Sequence, residues 1–222
     1  MNAFRAILAK DLRIELRTLE SVPAMALFAA TTFVLFRFGL DREQLEGSLA
    51  AGVLLATLLF AAILAVNRAF VAEREQGGFD VIRLAPVDGA ALFAAKVCAL
   101  LVYLAALEAV ALPVFGILFL DEWSGLVPLL VVLIGADLGL ATVGALVSAI
   151  AVHSRARDLI APLLLLPLLV PVMIAAAGAA EPLLAAGGPG YEDFGQWMAV
   201  LALYDLTFLA VGYAVYDFVL ED

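Results

Sequence analysis

The stretch Asn67-Arg-Ala-Phe-Val-Ala-Glu-Arg-Glu-Gln-Gly-Gly-Phe-Asp-Val-Ile-Arg-Leu-Ala-Pro86 stands between two long apolar runs. It combines charge, a double glycine and a short amphipathic turn that ends at proline. The runs on either side, 48–66 and 91–120, are long enough to cross a membrane, since a helix needs about 20 apolar residues to span the hydrocarbon core. Extended outward, the same reading gives six crossings: 22–38, 48–66, 91–120, 125–152, 159–180 and 196–219. The interruption at 67–90 then becomes the connection between the second and third spans, a place where a soluble partner can push on a membrane protein.

Composition agrees. The chain of 222 residues is 65% hydrophobic and has a mean hydropathy of +1.09. A soluble domain cannot hide that much apolar surface, which leaves an all-α polytopic membrane protein. The net charge of -10 argues against a nucleic-acid partner. Cys98, the single cysteine, excludes a disulfide framework or a cysteine metal site within one chain. No signal peptide is expected, because the first apolar run leads into further spans.

Basic residues set the orientation. Arg5, Lys10, Arg13 and Arg17 precede the first span, Arg68, Arg74, Arg83 and Lys96 lie in or beside the second connection, and Arg155 and Arg157 sit in the fourth. The alternate connections are acidic, with Asp41, Glu43 and Glu46, then Asp121 and Glu122, then Glu181, Glu192 and Asp193. Both termini are therefore expected on the cytoplasmic side. The largest outer piece, 181–195, reads either as a small re-entrant or interfacial element or as an aromatic-anchored loop. Ahead of the first span, Phe4, Leu8, Leu12, Leu16 and Leu19 recur at helical steps, with Lys10, Arg13 and Arg17 on another face. The pattern predicts an amphipathic helix over 1–20 lying in the interface, apolar side in lipid.

Several chemistries are excluded. No Gly-Lys dipeptide occurs, so the chain carries no P-loop and any ATP is hydrolysed by another protein. His153 is the single histidine; it reads best as a solvated or headgroup-facing residue, with one axial haem ligand as the alternative. No catalytic triad is readable. Glu108, Asp137 and Asp205 fall inside apolar runs, where a carboxylate costs on the order of 2.5–3.5 kcal/mol to insert. They read either as a polar lining or proton-coupled site, or as interhelical hydrogen bonding to Tyr103, Thr142, Tyr204 and Thr207. Pro113 is placed to kink the third span, and Pro162, Pro167 and Pro171 either kink the fifth or line a pathway along it. Gly135, Ala136 and Gly139 make a small-residue face in the fourth span.

Six spans, a basic amphipathic start and the segment Glu73-Arg-Glu-Gln-Gly-Gly-Phe-Asp-Val-Ile-Arg-Leu-Ala-Pro86 resemble the type-2 exporter permeases of ABC transporters. The resemblance implies a single permease domain over 1–222, whose connection at 67–90 carries a cytoplasmic coupling helix seated in a groove of the ATPase. Glu73, Gly77, Gly78, Phe79, Asp80, Ile82, Arg83 and Pro86 are the residues it places there. Within that class the chain is similar to the cytochrome c maturation B family of haem-exporter permeases. The length without a large outer domain, the fifth span Leu163-Leu-Leu-Leu-Pro-Leu-Leu-Val-Pro-Val-Met-Ile174 and the tail from Trp197 through Tyr204-Asp-Leu-Thr-Phe208 to Asp222 carry that likeness. Gly77-Gly78 departs from the Asp-Gly-Ser or Asp-Gly-Thr common among relatives. Only Trp123 and Trp197 occur, so the tryptophan-rich haem motif of the family's partner subunit is missing. What the resemblance implies is a subunit of the bacterial inner membrane, surrounded by lipid. Its partners are an ABC ATPase holding ATP and magnesium, a second copy of itself, a C-type haem-handling subunit, a small D subunit and a periplasmic haem chaperone, with haem as cargo. A type-2 permease for a lipid, glycan or drug, and a non-transporting membrane scaffold, fit the same residues less specifically.

Overall fold

A computed structural model describes residues 3–42, 44–75, 88–120, 123–151, 157–187 and 189–221, with side chains for 3–42, 44–67, 88–120, 123–150, 163–187 and 189–216. Every regular element among them is helical: α1 (Ala3–Thr18), α2 (Ser21–Gly39), α3 (Gly47–Glu75), α4 (Gly89–Phe119), α5 (Leu126–Ala151), α6 (Arg157–Ala180), a 3-10 turn (Pro182–Leu184) and α7 (Phe194–Glu221). Helices α2 to α7 are each long and apolar enough to span a bilayer, as the hydropathy reading anticipates. An even number of crossings leaves both chain ends on one side, here called the terminal side.

The boundaries differ from expectation at one point with a clear cause. α3 does not stop with the apolar run at Val66 but continues to Glu75. Asn67 to Glu75 bring in charge but no helix breaker, and the first breaker is Gly77; charge ends the membrane stretch, not the helix. α4 starts where Asp88, in extended conformation, accepts a hydrogen bond from the Ala90 N–H at 3.2 Å, an N-cap. It then runs through Pro113 to Phe119 as one helix.

α4 and α5 form the middle of the bundle. α4 packs against α1, α2, α3, α5 and α7, and α5 against α3, α4, α6 and α7. The small-residue face expected in the fourth span is used for close approach: Gly135 lies under Leu201 of α7, and Gly139 under Val172 of α6 and Asp205 of α7. Phe33, Phe115 and Phe119 form an aromatic knot between α2 and α4. α2 and α7 are the outlying spans, each with 17% of its apolar stretch buried, against 67% in α3. Most of their surface therefore faces lipid or another protein.

The 181–195 segment folds back onto the bundle. Leu183 and Leu184 are buried beside α3, and the Gly190 N–H bonds to the Pro182 carbonyl at 2.7 Å. Tyr191 remains exposed. Anchoring thus comes from two buried leucines and from Trp197, which packs against the core over Gly178, while Tyr191 stays outside.

Candidate functional site

Of the residues expected to engage an ATPase, Glu73 lies in the last turn of α3, with its side chain outside the described residues. Gly77, Gly78, Phe79, Asp80, Ile82, Arg83 and Pro86 also lie outside them. What the structure does describe is how the chain emerging from that segment is gripped. The first turns of α4 are held from two sides. On one side Phe93 packs against the Tyr216 ring of α7 with centroids 5.1 Å apart, and its ring lies over Gly212, where a Cβ would collide with it. On the other side Lys96, only 6% exposed, donates to Asp11 Oδ2 of α1 at 2.9 Å. Lys10 flanks the other oxygen, Oδ1, at 3.1 Å. Seven residues along the same face of α4, the Tyr103 hydroxyl donates to the Asp11 carbonyl at 3.1 Å.

This contact corrects the expected orientation of α1. Its buried face carries Asp11 and Glu15, each 9% exposed, while Leu16 and Leu19 stand outside. Ile7 and Leu12 are half-buried against the bundle. The helix is thus held to the protein by charge and hydrogen bonds together with the packing of Ile7 and Leu12, and only part of its apolar stripe faces away. The helix stops at Thr18, and Leu19 sits in the left-handed region (φ 49°) with its N–H bonded to the Glu15 carbonyl at 2.8 Å. Glu15 also caps the next helix. Its Oε1 accepts from the Ser21 and Val22 N–H groups at 2.9 and 2.8 Å, a task that Glu20, the adjacent N-cap, does not perform.

A second feature lies at mid-bundle. Glu108 lies eleven residues before Phe119, Asp137 eleven after Leu126, and Asp205 eleven after Phe194. All three are therefore about 16 Å in from the helix ends remote from the termini, at 1.5 Å per residue. Their helices α4, α5 and α7 are mutual neighbours, which puts the carboxyls in one layer. Glu108 and Asp137 lie within electrostatic range of each other, and Asp205 Oδ1 rests against Gly139. Glu108 is 7% and Asp205 4% exposed, and one oxygen of each, Oε1 and Oδ1, is buried with no hydrogen-bond partner among the described residues.

The polar groups expected to pair with them bond elsewhere. Thr142 and Thr207 donate back to the Leu138 and Leu203 carbonyls of their own helices, the usual option for a helical threonine. The Tyr204 hydroxyl donates to the Leu168 carbonyl of α6, and Tyr103 to that of Asp11. Pro167 and Pro171 lie on the exposed face of α6. Pro162 lies in the same helix, its side chain outside the described residues. A path along Pro167 and Pro171 would run on the outside of this bundle. Among the described residues no group of three or more Asp, Glu, His or Cys is placed to hold a metal ion.

The sequence reading missed the roles of Asp11 and Glu15 and took Lys96 for an orientation signal. A usable signal was present: a lone lysine inside an apolar run requires a carboxylate, and Asp11 and Glu15 are one helical turn apart on one face.

The model of the CcmB protein family matches residues 2–218. The chain belongs to the CcmB protein family. The match takes in every span and the whole 73–86 segment. Heme exporter protein B of Bradyrhizobium diazoefficiens is 28% identical over 213 residues, covering 96% of this chain and 94% of the relative. The protein of that name from Pseudomonas aeruginosa is 30% identical over 211 residues, covering 93% and 92%. That from Rhodobacter capsulatus is 28% identical over 171 residues, 77% and 78% of the two chains. The first two of these alignments each take in more than nine-tenths of both chains.

Proposed function

We propose that this chain is the permease subunit of an ABC-type complex for cytochrome c maturation, sited in the bacterial cytoplasmic membrane with both termini inside. The observation that carries the reading is the family match over 2–218, together with relatives named heme exporter protein B that align over nearly their whole length. It is a transport subunit, and ATP with magnesium belongs to a separate ATPase. A second copy of the chain, a C-type haem-handling subunit, a small D subunit and a periplasmic haem chaperone complete the assembly. Haem is the cargo, exported or released as loaded chaperone.

Within that reading Glu73 and Gly77 to Pro86 dock the ATPase. Phe79 and Ile82 supply the apolar contact, Asp80 and Arg83 the charged one, and Gly77-Gly78 the sharp turn. The layer of Glu108, Asp137 and Asp205 is the polar interior of the permease; its shared depth and its two unpartnered oxygens support this. Deleting the chain should abolish haem-stained c-type cytochromes, and the wild-type chain should restore them. Phe79→Ala with Ile82→Ala should lower cytochrome yield and co-purified ATPase about tenfold while the chain stays in the membrane. Unchanged cytochromes in the deletion strain would remove the haem-export reading, and an inert double alanine would remove the docking reading alone.

A further inference from the structure

We propose that Asp11, Glu15, Lys96 and Tyr103 are positioning residues for coupling, making α1 a strut that carries movement of the α4 start to the start of α2. The proposal rests on the reading that 73–86 meets an ATPase. It goes beyond it by giving the interfacial helix a mechanical task.

The strut begins close to the source of movement. Lys96 is seven residues into α4, about 10 Å from its first turn, and α4 opens directly after the docking segment. Lys96 and Tyr103 lie two turns apart on one face of α4, and both end on Asp11. Together they fix the position of Asp11 against α4, and the second hold, Glu15 at the start of α2, sets the direction of α1. Their chemistry matters too. An apolar face slides with little cost, whereas a hydrogen bond is lost once donor and acceptor separate by much beyond about 3.2 Å.

The far end of the strut is equally short. Only Leu19 and Glu20 separate α1 from α2. Glu15 bridges that elbow twice, through its carboxylate to the Ser21 and Val22 N–H groups and through its carbonyl to the Leu19 N–H. A shift of α1 must therefore shift the start of α2. That span is one of the two with most surface outside the bundle, so its displacement meets lipid or a neighbouring protein and not a packed core. A plain membrane anchor has no need of this arrangement, since burying Lys96, Asp11 and Glu15 costs desolvation that exposed charges at the headgroups avoid.

The test uses the whole chain in its complex. Removing one member alone unbalances the buried pair, so the informative variant is Asp11→Asn with Lys96→Met, which removes both charges at similar volume. Chain abundance and ATP turnover of the purified complex should stay within about twofold of wild type, while covalent haem in c-type cytochromes falls about tenfold. A purely structural role predicts cytochrome yield that follows chain abundance, and that result overturns the proposal. A second readout follows the contact between α1 and α4 itself. In a Cys98→Ser background the chain has no other cysteine, so spin labels can be placed at the exposed positions Arg13 of α1 and Ala94 of α4. Their separation should be single-valued and the same with and without bound nucleotide, and it should broaden in the Asp11→Asn/Lys96→Met chain. A change of more than about 5 Å, one helical turn, on nucleotide binding in the otherwise wild-type chain sinks the strut. Phe79→Ala with Ile82→Ala, run alongside, reports on docking alone.

Discussion

Among the described residues, charged side chains are buried in two regions, and the two handle them in opposite ways. Where α1 meets α4, Asp11, Lys96 and Glu15 are nearly fully enclosed, and each has a charged or backbone partner within 3 Å. At mid-bundle, Glu108 and Asp205 are enclosed just as fully, and each keeps one oxygen with no partner among the described residues. The first arrangement spends desolvation to fix one geometry. The second leaves hydrogen-bonding capacity open about midway along the bundle helices. Burial alone does not separate the two; what the neighbours offer does.

The largest expected effect breaks the paired region. Asp11→Asn or Lys96→Met alone should each lower the stability of the detergent-solubilised chain by about 3 kcal/mol, because each breaks a buried charge-assisted hydrogen bond from one side only. The two together should lower it by less than about 1 kcal/mol. Thermal unfolding of the four chains gives the coupling directly. Additive losses would mean that the two side chains act separately and that α1 is held by something other than their contact.

A smaller effect sharpens the account of the unpaired region. A Cβ at Gly139 would fall 2.8 Å from Asp205 Oδ1 and 2.9 Å from Val172 Cγ2. Gly139→Ala should therefore cost about 1–3 kcal/mol through overpacking. Combined with Asp205→Ala, which vacates the space on α7, the loss from Gly139→Ala should shrink by at least a third. An unchanged loss in the Asp205→Ala background would place the strain on Val172 of α6 instead.

The spans were legible because each is decided by a long local average of apolar residues, and the observed ends Gly39, Phe119 and Ala180 lie within a residue of the expected ones. The end of α3 was not, because hydropathy reports where a helix leaves the membrane and not where it stops being a helix. The intramembrane carboxyls could be seen as isolated charges in apolar runs, yet their partners could not. A threonine in a helix has its own carbonyl four residues back always within reach, so proximity in sequence to Asp137 or Asp205 gave Thr142 and Thr207 no reason to pair with them. The clasp on α4 was missed for a different reason. Asp11 and Lys96 are 85 residues apart, and only the approach of α1 to α4 brings them together. The amphipathic pattern of α1 was real, but it was read with the leucine stripe as the decisive face. Two carboxylates outweigh several half-exposed leucines because an unpaired buried charge costs more than a leucine left in contact with lipid.

The smallest expected effect comes from making the same substitution in both regions. Asp205→Asn exchanges an oxygen with no partner for an amide at nearly constant volume, so no existing bond to Oδ1 is lost. Stability should change by less than about 1 kcal/mol, against about 3 kcal/mol for Asp11→Asn. Haem-stained cytochromes should nevertheless fall with Asp205→Asn, because the carboxyl layer would lose one of its three acidic members while the bundle around it stays intact. If Asp205→Asn unfolds the chain as readily as Asp11→Asn, then Asp205 holds a structural bond and the contrast between the regions disappears. If it leaves both stability and cytochromes untouched, the mid-bundle layer is a tolerated polar pocket. The chemistry of this permease would then have to be sought on the exposed faces of α2, α6 and α7.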